Sequence, residues 1–206
     1  MPTRAYHHRF EPGPDAAAPP LLLLHGTGGD ENDLIPLGRQ LSPGSALLSP
    51  RGDVSEHGAR RFCARLAEGV FDPAEVTRRT HALADFVVAA AKHYDLDSGR
   101  LMAVGFSNGA NIAATLLLLR PESLGAAVLL RPMVVLEPPR LPDLLARRVL
   151  ISSGSLDPIV PPDHPGRLAE LLRHAGADVT RHTHVANPGL VPADFAEARE
   201  FLRAAP

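Results

Sequence analysis

Short apolar runs alternating with longer stretches of helical period are what most restrict the fold open to this 206-residue chain. Strand-like runs fall at 21 to 26 (LLLLHG), 45 to 52 (SALLSPRG), 100 to 107 (RLMAVGFS), 125 to 132 (GAAVLLRP), 148 to 154 (RVLISSG) and 178 to 185 (DVTRHTHV). Most lack polar alternation, as strands do when helices cover both faces. Between them, residues 72 to 97 begin with Asp72 as N-cap, Pro73 at the first helical position and Glu75 three residues after the cap. Apolar Val76, Leu83, Val87, Ala90 and Tyr94 then make one face of an amphipathic helix. Further helices are predicted from after the Ser107 turn to about Arg120, from about 165 to 175, and following Pro192 to the C-terminus. Residues 132 to 147, with four prolines, read as a connector. Strand and helix in this rhythm predict an α/β architecture with a mainly parallel sheet. The length is that of one compact domain over residues 1 to 206, with no linker or internal repeat.

Bulk properties narrow the partners. With 21 basic and 23 acidic side chains, a net charge of −2 gives no electrostatic reason for a nucleic-acid or anionic-membrane partner. The longest apolar runs are far short of the roughly 20 residues of a membrane span. The single Cys63 cannot form an intramolecular bridge, and the polar, interrupted N-terminus does not read as a secretory signal, so a cytoplasmic protein with a small-molecule partner is expected. Arginine supplies nearly all the positive charge, Lys92 being the only lysine, a bias to which we assign no function.

Chemistry concentrates in three places. Gly105-Phe106-Ser107-Asn108-Gly109 matches G-x-S-x-G, directly after the apolar strand LMAV and directly before a helix. At such a turn the serine hydroxyl projects above the end of the sheet, and the Asn108 amide lies at a helix N-terminus whose partial positive charge favours a developing oxyanion. The competing reading is a serine in an ordinary strand-to-helix loop. The second place is His25-Gly26-Thr27-Gly28-Gly29-Asp30, which carries neither phosphate-binding glycine pattern and is followed by no lysine. It suits a loop offering the Thr27 amide as second oxyanion donor, with His25 holding the loop by hydrogen bonds. The third is SSGSLDPIVPP, where Asp157 follows the serine in chain order and suits the acid that orients an imidazole.

Together HGTGGDENDLIPL, SPRG, RRF, GFSNGANIA, LLRPM and GSLDPIVPP resemble the phospholipase/carboxylesterase family of α/β hydrolases, compact serine esterases similar to acyl-protein thioesterases. The resemblance covers nearly the whole chain from residue 20. It implies a three-layer αβα sandwich of the α/β-hydrolase fold without a large lid, a Ser-Asp-His triad, no metal or cofactor, and hydrolysis of carboxylic or thiol esters. Family members often pair as homodimers. By motif, Ser107 is the implied nucleophile, Asp157 the acid, Thr27 and Asn108 the oxyanion donors, and Arg131-Pro132-Met133 with the loop from Arg51 to Phe62 the border of the acyl pocket.

One departure strikes the centre of that mechanism. Where such proteins carry Gly-His-Gly-Leu or similar, this chain reads Ala186-Asn187-Pro188-Gly189-Leu190, and proline has no group to take or return a proton. Of the ten histidines, 7, 8, 81, 93 and 174 are expected at the solvated surface and His25 in its loop. His57, His164, His182 and His184 remain as substitutes, with His184 the first candidate. It shares a strand face with His182 but stands four residues before position 188, up to about 13 Å of extended chain. Two functions stay open: a serine esterase or thioesterase that is impaired or has moved its base, and a non-catalytic protein that holds a small ester, acid or acyl group.

Overall fold

The computed structural model describes residues 6–204. Its seven-stranded sheet runs in the order β1 (His8–Glu11), β3 (Leu47–Pro50), β2 (Leu21–Leu24), β6 (Met102–Phe106), β7 (Ala126–Leu130), β8 (Arg148–Gly154) and β9 (Asp178–His184). Every neighbouring pair is parallel except β1, which runs antiparallel to β3 at the edge. Five helices cover the two faces: α1 (Ile35–Leu41), α2 (Pro73–His93), α3 (Asn108–Leu119), α4 (His164–His174) and α5 (Pro192–Arg203). A short 3₁₀ turn, Pro121–Ser123, follows α3.

The strands explain their own composition. Leu22, Leu24, Ala103, Ala127, Leu129, Val149 and Ile151 pack with residues of α2, α3 and α4, including Leu83, Ile112 and Leu168. Their neighbours Leu21, Leu23, Met102, Val104, Val128 and Leu150 pack with Ile35, Leu41, Phe201 and Leu202 of α1 and α5. With both faces buried, neither register position tolerates polarity, and the uniform apolar runs follow. This is the three-layer α/β-hydrolase architecture, and no helix among the described residues is long and apolar enough to cross a membrane.

Local signals set several boundaries. Asp72 caps α2, its Oδ1 accepting the Ala74 amide at 3.0 Å, with Pro73 in the first turn. The helix stops at His93, short of residue 97, and Tyr94 turns from the helix face to stack on Phe10 of β1 at 3.8 Å. Three elements escaped the sequence pattern: β1, α1 and the hairpin of β4 (Val54–Glu56) and β5 (Ala59–Arg61). All are short, and their periodicity is too brief to separate from loop. His8, expected in solvent, lies on β1 with Nε2 2.8 Å from the Tyr94 hydroxyl. His81, His93 and His174 are exposed, as read. The last helix ends at Arg203, and its expected continuation over 205–206 lies outside the described residues.

Candidate active site

Because β2, β6, β7, β8 and β9 are parallel, the turns that follow them crowd one edge of the sheet. Thr27, Ser107, Arg131, Asp157 and Pro188 all lie in those turns. Ser107 has φ 51° and ψ −114°, a conformation non-glycine residues rarely adopt, between the end of β6 and the first residue of α3. Its amide donates to Leu130 O at 2.8 Å and its carbonyl accepts the Asn111 amide at 2.9 Å, so both sides of the turn are anchored. Glycine is obligatory on either side. A Cβ on Gly105 would stand 2.5 Å from Gly109 O, and one on Gly109 would overlap the Leu24 carbonyl oxygen. Asn108, first in α3, has an amide with no carbonyl one turn back to bind.

The Thr27 loop is braced against the β4–β5 segment. His25 is buried; its Nδ1 donates to Gly26 O at 2.7 Å and its Nε2 accepts the Gly52 amide at 2.9 Å, since a carbonyl only accepts and an amide only donates. Burial holds this imidazole below its ordinary pKa, as suits a ring whose second nitrogen must accept. The Gly28 amide donates to Arg60 O at 2.9 Å, and Arg61 Nη1 donates to the Thr27 hydroxyl at 2.6 Å. On the side of the Ser107 turn, Asn108 Oδ1 accepts the Phe62 amide at 2.7 Å and its Nδ2 donates to Cys63 O at 3.3 Å. The segment 52–63 therefore clamps both the Thr27 loop and the Ser107 turn. Sequence reading placed this segment at the pocket border but gave no sign of its bracing role, because the contacts span 34 and 46 residues.

Asp157 sits in the turn after β8, with Oδ1 accepting the Ile159 and Val160 amides at 2.8 and 3.3 Å. Its Oδ2 takes no hydrogen bond among the described residues. The turn after β9 is tied to the same place: Ser155 N donates to His184 O at 2.8 Å and Leu156 N to Ala186 O at 3.1 Å. Positions 157 and 188 thus occupy adjoining turns, and Pro188 is half-buried there.

The Arg131 side chain is buried rather than open to solvent. Its guanidinium is buried against Asp194 and donates to Gly189 O at 2.9 Å. The four histidines considered as substitutes each lie elsewhere. His57 is exposed at the hairpin tip with φ 49°. His164 begins α4, its Nδ1 accepting the Val134 amide at 3.3 Å. His182 and His184 stack in parallel 6.4 Å apart, both facing α5, with Glu197 oxygens at 3.3 and 3.0 Å. Among the described residues no imidazole hydrogen-bonds the Ser107 hydroxyl or the Asp157 carboxylate, and no cluster of three His, Cys, Asp or Glu side chains is spaced to hold a metal.

Comparison with known proteins fits this frame. The Dienelactone hydrolase family matches residues 53–188. A Bacillus subtilis (strain 168) relative named as a hydrolase, MhqD, is 42% identical over 185 residues, 90% of this chain and 92% of the relative. The crystal structure of the Bacillus cereus carboxylesterase superposes with a TM-score of 0.95 at 41% identity, over 98% of this chain and 95% of that one. The structure of YahD with malic acid gives a TM-score of 0.91 at 28% identity, over 98% of this chain and 100% of that one. By fold, by the serine turn and by this similarity, the chain belongs to the dienelactone hydrolase family of α/β hydrolases and is a carboxylic ester hydrolase in kind.

Proposed function

We propose that this protein descends from, and retains the frame of, a serine esterase or thioesterase acting on small carboxylic or acyl esters, and that Pro188 slows it severely. The observation that carries the reading is the backbone of Ser107, held at φ 51° between two glycines at the strand edge. A strained backbone between two close-packed glycines at the strand edge suits the presentation of a hydroxyl. In this reading the Ser107 hydroxyl attacks the ester carbonyl, and the Thr27 and Asn108 amides receive the oxyanion. Asp157 offers its Oδ2 to an imidazole that position 188 no longer supplies. His184, the leading substitute, would have to release Glu197 and cross from the α5 face to serve.

Losing the histidine of a working triad costs about 10⁶ in turnover, while the oxyanion hole and binding leave about 10³ to 10⁴ over water. Labelling by a fluorophosphonate and hydrolysis of p-nitrophenyl acetate test the proposal. Slow reaction of the natural chain, and acceleration on the order of 10³-fold or more in Pro188→His, are expected. Brisk turnover by the natural chain that survives removal of His57, His164, His182 and His184 one at a time overturns it.

A second reading has Pro188 in its favour: the same site holds a small ester, acid or acyl group without turning it over. The YahD structure, with malic acid, is of a protein similar to this one. A thermal-shift screen in which no small carboxylic acid or ester stabilises the chain counts against this reading.

A further inference from the structure

The edge of the sheet opposite Ser107 carries a second concentration of charge. There, at the N-terminal ends of β6, β7 and β8, a cavity of about 120 Å³ is lined by Arg100, Arg147 and Arg148 together with Met102, Gly125 and Ala126. A single water needs only about 10–15 Å³, so the space admits a small ion with its oxygens. Met102 precedes Ser107 by five residues along β6, about 16 Å of strand, which separates this cavity from the proposed catalytic edge.

Three cations converge on it, and among the described residues none is paired with a carboxylate. Arg100 Nη2 donates to Ala17 O, and Arg147 Nη2 reaches Pro121 O at 3.4 Å, both neutral acceptors. The Arg148 guanidinium lies 4.6 Å from the Phe201 ring centroid, which fixes its plane. Two nitrogens, Arg147 Nε and Arg148 Nη1, are buried with no hydrogen-bond partner among the described residues. A buried donor on a charged group without an acceptor is costly, and native proteins nearly always satisfy it with protein, water or an ion.

We propose that this cavity is a binding site for a small oxyanion, a phosphate or the carboxylate of a small organic acid, held by the arginines that line it, Arg147 and Arg148 foremost. Planar guanidinium forks match the oxygen pairs of both groups, and the shared chemistry is that of an acceptor-only anion. The inference does not depend on the hydrolase reading, since it concerns the other edge of the sheet.

Titration calorimetry and thermal shift with inorganic phosphate and with succinate, at physiological ionic strength, test it. Saturable binding of either is expected, and the arm that responds identifies the source. Arg147→Gln and Arg148→Gln should each weaken it about tenfold or more, the worth of one charge-assisted hydrogen bond, while Ser107→Ala leaves it intact. Should a variant fail to fold, phenylglyoxal modification of the natural chain decides the matter: the anion must protect Arg147 and Arg148, mapped by peptide mass, over other arginines. No binding of either anion, binding indifferent to both substitutions, or protection elsewhere overturns the proposal.

Discussion

Arg131 and Asp194 meet through two hydrogen bonds, 2.9 and 2.8 Å long, with both side chains almost wholly buried. The pair joins the end of β7 to the first turn of α5, and it does so beside the turn that carries Pro188. Arg131 Nη2 also holds Gly189 O, next to Pro188, while Asp194 Oδ2 accepts the Val191 amide at 2.7 Å and Asp194 Oδ1 accepts the Ser152 hydroxyl. Burial pushes the Asp194 carboxyl up, but the Arg131 guanidinium, the Ser152 hydroxyl and the Val191 amide together hold it below the usual carboxylate range. The turn that carries position 188 is thus anchored by groups other than residue 188 itself.

Removing one partner of that pair strands the other charge in the interior. Asp194→Asn and Arg131→Met are each expected to cost about 3–5 kcal/mol in urea denaturation. In a Pro188→His background the same changes should erase most of the gained esterase rate, because the new imidazole loses its tether. A natural denaturation midpoint in either single variant would show that the pair carries little.

The glycines flanking the Ser107 turn should respond differently from a glycine in open space. Gly109→Ala forces a methyl group into the Leu24 carbonyl, where backbone cannot yield cheaply, and a loss of about 3 kcal/mol or outright failure to fold is expected. Gly166, in the first turns of α4, has no atom within 4 Å of an added Cβ. Gly166→Ala should instead stabilise by about 0.5–1 kcal/mol, read as a higher melting temperature.

Asn108 ties the segment 52–63 to the start of α3 through its side chain. Asn108→Ala leaves the buried Phe62 amide without an acceptor, at a cost of about 1–3 kcal/mol. It should also loosen the cover over Cys63, whose thiol burial pushes up to about 11. Reaction of Cys63 with a disulfide reagent at pH 7 is expected to be very slow in the natural chain and measurably faster in the variant. Equal rates would mean that Asn108 does not hold this segment.

Two groups predict how stability follows pH. Hydrogen bonding to Arg51 lowers Glu31 from 4.5 to about 2, so its contribution is complete above about 4.5 and is lost as pH falls towards 2. His25 is held below its ordinary 6.5, so the neutral ring contributes fully above that value and loses its contribution as pH falls below it. Melting temperatures between pH 8 and 3 should therefore decline in two steps. Arg51→Gln should flatten the acid step and leave the upper one in place; an unaltered acid step would assign it to other carboxylates.

The sequence by itself determined the layers and the place of the serine. Uniform apolar strands announce a sheet covered on both faces, because a doubly buried strand has no solvent side on which to alternate. The G-x-S-x-G turn is legible because its glycines answer to local backbone collisions. The N-cap of α2 at Asp72 is legible for the same reason: capping is settled within three residues. Tertiary structure alone decided the bracing of the Thr27 loop by Arg61, the hold of Asn108 on Phe62 and the burial of Arg131 against Asp194, since each joins residues more than thirty positions apart. It also decided that His182 and His184 face α5 and Glu197. Strand alternation places the two on one face, but which face, and what waits there, depends on where the last helix packs.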